Sequence, residues 1–124
     1  MRNNMTIDIK SIYLYYNDKK DENNVILKNC SVNGNVYKCD NYSFELYENK
    51  LLVNSNNNGM KYIKQYILNE ETTSKLELNN CIFLTKIETI FFENINNKIK
   101  IVAREYTEKN EFLSEVNIEL VITN

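Results

Sequence analysis

A chain of 124 residues has room for one ordinary core, which excludes a multi-domain arrangement. It is 43% apolar and 26% charged with a net charge of −2, and it holds 23 Asn, 14 Ile, 13 Lys and 9 Tyr against one Ala, two Gly and no Pro, Trp or His. Scarce alanine argues against a helical bundle, Ile, Tyr, Val, Thr and Phe suit a pleated half-buried surface, and missing histidine excludes His-based triads, His-containing zinc sites and imidazole acid–base catalysis.

The whole chain, 1–124, reads as a single all-β domain, mainly an antiparallel meander closed into a barrel or sandwich. Apolar-alternating runs interrupted by turn residues predict strands over 6–16, 25–32, 36–39, 42–47, 50–57, 60–68, 75–78, 81–92, 98–106 and 112–123. In the first of these, Ile7 and Ile9 alternate with Asp8 and Lys10, but from residue 11 onward both faces are apolar or aromatic. Asp18, Asp21 and Glu22 lie in the next connection; their spacing is not that of an EF-hand loop, and a solvated hairpin loop is the expectation.

Asn33-Gly34 and Asn58-Gly59 contain the only glycines, and each predicts a hairpin, because Asn-Gly supplies positive φ at both central positions of a type I′ turn. A loop at Asn33-Gly34 makes Cys30 and Cys39 diagonal neighbours, whereas a longer four-residue loop sets them directly opposite, within reach of a disulfide. With Cys81 the cysteines are odd in number and have no framework spacing, so buried free thiols are the expectation. A loop at Asn58-Gly59 sets Asn57 against Met60, Ser55 against Tyr62, Val53 against Lys64 and Leu51 against Tyr66. The segment 60–69 is read as a strand; Met60, Ile63 and Ile67 also fit a helical period, so the chain is expected to hold at most one short helix, placed there.

The run 81–92 has Ile82, Leu84, Ile90 and Phe92 on one face and Phe83, Ile87 and Phe91 on the other. Such a strand is covered on both sides, bends between sheets or exposes part of itself. The last two strands are the most regular: a turn at Lys109-Asn110 opposes Ile99 to Leu120, Ile101 to Ile118 and Ala103 to Val116, with Lys100–Glu119 and Arg104–Glu115 on the outer face.

Function is less legible. No basic stripe favours nucleic acid, no metal-ligand spacing or Gly-rich phosphate loop is present, and Cys has no activating His, so no catalytic residue, metal or cofactor is expected. Residues 1–10 lack the apolar core of a signal peptide and no run reaches the length of a membrane span, so a soluble cytoplasmic protein is expected, with non-classical release left open. Asn, Ile, Lys and Tyr have AT-rich codons, which points to a low-GC bacterium, its phage or a mobile element. The first functional expectation is a non-catalytic protein–protein interaction module: an accessory, inhibitor or assembly subunit, with a protein partner or a homo-oligomer. Its candidate contact residues are Tyr13, Tyr15, Tyr16, Phe83, Phe91 and Phe92, where apolar surface exceeds what one buried face needs. The second is a small barrel that holds an apolar ligand or lipid.

Overall fold

The computed structural model describes residues 2–124, with side chains described from Asn4 onward. Ten strands follow one another: β1 (Arg2–Tyr15), β2 (Lys20–Asn33), β3 (Val36–Cys39), β4 (Tyr42–Leu46), β5 (Lys50–Asn57), β6 (Met60–Ile67), β7 (Glu71–Leu78), β8 (Cys81–Ile95), β9 (Lys98–Thr107) and β10 (Phe112–Thr123). Each pairs antiparallel with its neighbours in sequence, and β1 pairs with β10 to close a barrel. The described residues form no helix, and Met60–Ile67 is a strand. No helix among them is long and apolar enough to cross a membrane.

The tight turns explain where the asparagines go. Asn58-Gly59, Asn79-Asn80 and Asn96-Asn97 each connect two strands with positive φ at both central residues, 51° and 81°, 50° and 63°, and 53° and 62°. This is the backbone of a type I′ turn, whose twist matches that of the flanking strands. All eleven non-glycine residues with positive φ among those described are Asn or Asp, the L-residues that best tolerate this region. Asn has AT-rich codons, yet nine of these residues hold left-handed positions that a chain with two glycines must fill. At Gly59 a Cβ would meet nothing within 4 Å, so substitution there isolates the backbone cost of φ +81°. Gly59→Ala is expected to lower the unfolding free energy by about 1–2 kcal/mol, read from urea unfolding at unchanged m-value.

Turn geometry also fixes register. The β5–β6 pairing is the expected one, from Asn57–Met60 to Leu51–Tyr66. Between β2 and β3 the turn sits one residue later than expected, at Gly34-Asn35, with Asn33 opposite Val36. Gly34 takes φ +61° at the first central position, as a type II′ turn requires. The shift brings Cys30 opposite Cys39, and a disulfide joins them across a Cα–Cα distance of 4.4 Å. This corrects the expectation of buried free thiols for that pair, and Cys81, the remaining thiol, is exposed rather than buried.

In β9–β10 every expected pair is present, including Ile101–Ile118 and Ala103–Val116. The loop differs: the Asn110 N–H donates to the Thr107 carbonyl at 2.9 Å, Asn110 takes φ 66°, and a bulge between Phe112 and Ser114 restores the register. A three-residue loop with a bulge thus delivers the pairing of a two-residue one. On the outer face Arg104 meets Glu115 at 3.1 Å as expected, whereas Glu119 pairs at 3.8 Å with Lys98, diagonal to the expected Lys100.

β8 is bulged between Thr89 and Phe91. Before the bulge Ile87 and Thr89 are buried; after it Phe92 is buried, and Ile90 and Phe91 between them both reach solvent. Part of its two-sided apolar pattern is therefore a change of phase, and part is outward exposure at Ile82, Leu84 and Phe91. The Asn69 N–H reaches the Thr89 carbonyl at 3.0 Å, so the β6–β7 connection docks at this irregularity.

The buried core fills one part of the barrel, where Ile7, Ile99, Ile101 and Ile122 pack with Ile87 and Phe92. Residues on this inner surface alternate with outward ones, as in Lys98–Ala103 of β9, where Ile99, Ile101 and Ala103 are buried between Lys98, Lys100 and Val102. Elsewhere the interior is not filled.

Candidate functional site

The unfilled part is a cavity of about 420 Å³ inside the barrel. Its origin lies in the side chains that point inward. Where the core carries Ile and Phe, the strands around the cavity present Ser11, Ser74 and Thr85, too small to meet across a ten-stranded interior. Barrels of about eight strands are just filled by side chains or hold one small ligand, so a wider one lined with small residues leaves a void.

The floor is apolar: Phe44, Leu51, Val53 and Leu120 are buried core residues that also line the cavity. Tyr66, 3% exposed, stands beside them, and burial holds its hydroxyl pKa well above the ordinary value. Higher up, Tyr13, Tyr42 and Tyr62 line the wall. Burial, reinforced by the neighbouring Tyr42 and Tyr13, pushes the Tyr62 hydroxyl up to about 12. Each of these phenols offers both a donor and an acceptor on an apolar ring. Near the opening stand Asn23, Val25 and Phe83, of which Phe83 is 53% exposed.

Among the described lining residues, Lys64 of β6 and Glu105 of β9 are the one basic and the one acidic side chain. They face each other at 3.8 Å, with side-chain exposures of 22% and 19%, and the Thr85 hydroxyl of β8 donates to the second Glu105 oxygen. Lys64 also lies over the Tyr62 ring, 5.7 Å from its centroid. Strands β7 and β8 separate β6 from β9 in the wall, so the pair spans the interior rather than lying along one hairpin.

The six aromatic candidates do not share one surface. Tyr13 and Phe83 line the cavity, and Phe92 is in the core, 9% exposed. Tyr15 shares the inward face with Tyr13, and its hydroxyl donates to Asp21 of β2 at 3.1 Å. Partial burial and then that carboxylate raise its pKa. Tyr16 is exposed beyond the end of β1, and Phe91 is exposed on the outside of β8. Outward-facing Ile12 and Leu14 of β1 are exposed as well. Sequence does not distinguish Lys64, Glu105 and Ser74, and it marks Tyr42 and Tyr62 as strand tyrosines without placing them among the candidate contacts. The β5–β6 register had already placed Lys64 and Tyr62 on the same face as Leu51 and Val53, and a lysine on an otherwise inward face was the available signal.

A second feature lies beside the opening. β3 pairs with β2 only over Ser31–Asn33, so among the described residues no strand covers that edge of β2 over residues 20–29. β2 is held there only by β1, through pairs from Leu14–Lys20 to Ile7–Leu27.

The architecture has a known counterpart. The crystal structure of ywiB protein from Bacillus subtilis superposes with a TM-score of 0.65 over 98% of this chain and 93% of that one. Identity is 15%, so the likeness is one of fold. Neither a protein-family model nor a curated protein sequence matches the chain.

Proposed function

We propose that the protein is a non-catalytic binding protein that holds a small apolar or amphiphilic molecule inside its barrel. The observation that carries this reading is the cavity itself: about 420 Å³, a floor of Phe44, Leu51, Val53 and Leu120, and an opening beside Val25 and Phe83. Ligand pockets are concave, mostly apolar and furnished with a few oriented polar groups, and their volumes start at about 300 Å³. Here the tyrosine hydroxyls, Thr85 and the Lys64–Glu105 pair are such groups.

N-phenyl-1-naphthylamine, an uncharged reporter that brightens in apolar surroundings, tests the reading. The native protein is expected to bind it in the micromolar range. Leu76 lies on the inner wall between Tyr62 and Phe83, so Leu76→Trp places a large ring in the void. That variant is expected to lose at least about tenfold in reporter affinity while keeping its melting temperature, since the ring enters empty space rather than a packed core. Unchanged affinity in a folded Leu76→Trp protein would count against the reading.

The interaction-module reading is favoured by a different observation, the unpaired edge of β2 over residues 20–29. Open edges pair with other strands, and that of β2 carries the exposed Val25 and Ile26. Light scattering with native mass spectrometry separates the two: a monomer carrying a copurified small molecule supports the carrier, and a stable dimer or hetero-complex without one supports the module.

A further inference from the structure

We infer that the cavity selects an amphiphile whose head group is uncharged and accepts hydrogen bonds, and discriminates against one with an anionic head. The inference rests on the cavity reading above and concerns its specificity. Its basis is the charge balance of the lining, where Lys64 and Glu105 offset each other and the other described polar side chains are hydroxyls and an amide.

A charged group leaving water for such a site loses hydration and regains it only against an uncompensated opposite charge. An anionic head beside Lys64 also stands beside Glu105, because the two are 3.8 Å apart. Attraction to one is offset by repulsion from the other, and the cost of desolvation is left over. A cationic head meets the same balance with the signs exchanged.

A neutral acceptor meets no such obstacle. At 3.8 Å the Lys64–Glu105 contact is an ion pair longer than a hydrogen bond, so the ammonium N–H groups are not consumed by it. On the other side Glu105 is held by the Thr85 hydroxyl, which keeps the carboxylate in place and its charge close to Lys64. An alcohol, ester or amide oxygen can therefore accept a hydrogen bond from the Lys64 ammonium without displacing its counter-charge. The acyl chain then lies toward Phe44, Leu51 and Leu120, and the tyrosine rings line its path.

Two probes with the same chain and different heads, 1-dodecanol and dodecanoate at pH 8, test the inference by displacement of N-phenyl-1-naphthylamine. The native protein is expected to prefer dodecanol by about tenfold or more. Glu105→Gln leaves Lys64 without its counter-charge and is expected to tighten dodecanoate by about tenfold. Preference for dodecanoate in the native protein, equal affinities, or uptake of the reporter with displacement by neither amphiphile overturns the head-group inference alone. Failure to take up the reporter at all overturns the cavity reading with it. The native comparison is decisive whether or not the variant folds, and a folded Glu105→Gln protein that gains no affinity for dodecanoate also overturns the inference.

Discussion

Replacing Cys30 and Cys39 together by alanine is expected to lower the unfolding free energy by about 3 kcal/mol and the melting temperature by about 10 °C. The bond closes a loop between residues separated by 9 positions, and chain-entropy arithmetic for a ring of about that size yields just under 3 kcal/mol. Its place in the fold makes the effect local as well as global. β2 and β3 pair only through Ser31, Val32 and Asn33, as few pairs as join β6 to β7, so this is one of the two short seams of the wall. Both cysteines are core residues, so the bond is shielded from exchange with solutes. Alanine rather than serine is the informative replacement, because a buried hydroxyl adds its own cost. Thiol titration of denatured protein gives the companion readout: one reactive group without reductant, Cys81, and three with it. Three thiols before reduction, or unfolding curves that coincide for the native and doubly substituted proteins, would contradict the assignment.

Stability is expected to fall steeply as the pH rises from about 10 to 12 and above, through the inward tyrosines. An unfolded tyrosine ionises near the ordinary value of 10.0, whereas Tyr62 in the barrel does so at about 12 and Tyr66 is held well above the ordinary value, in both cases chiefly because burial disfavours the phenolate. Below pH 10 both states keep the proton, and the full stability is present. Above it the unfolded chain releases protons that the folded one retains, so unfolding is favoured progressively until the folded pKa is passed. For Tyr62 two pH units correspond to about 3 kcal/mol, reduced to about 2 because the side chain is partly open to the cavity. Thermal melts across this range, compared between the native protein and Tyr62→Phe/Tyr66→Phe, isolate the contribution. The double variant is expected to show a clearly shallower alkaline decline, and parallel curves would refute the assignment to these two residues.

Much of the fold was legible in the chain because the signals were local. Ten alternating runs become ten strands, and Asn58-Gly59 sets a register that places Lys64 on the inner face. The last hairpin was readable through the match of Ile99, Ile101 and Ala103 to Leu120, Ile118 and Val116, although its loop differs by a residue, because only one register buries both apolar faces. The start of β2 was missed because no face is buried there: Lys20–Asn24 lies with both sides in water, so it has no alternation to read. The disulfide was missed through a one-residue shift in the position of Gly34 within its turn, and the split of Ile90, Phe91 and Phe92 through a bulge that period-two reasoning cannot foresee. The cavity is a different kind of omission. It is space left between Ser11, Ser74 and Thr85, residues on three separate strands, and no pattern along one strand records a volume between several.

Barrel closure also imposes an order on the making of the protein. Nine of the ten strand pairings join neighbours in sequence and can form as each hairpin appears, whereas β1 takes its second partner from β10, at the other end of the barrel's strand order in sequence. During synthesis the first strand made therefore waits for the last. Until β10 leaves the ribosome, the edge of β1 that carries Ile7, Ile9 and Tyr13 has no partner, and the interior stays open along its whole length. The nascent chain is a curled, incomplete sheet, and the enclosed space that would receive a ligand comes into being only at the final step.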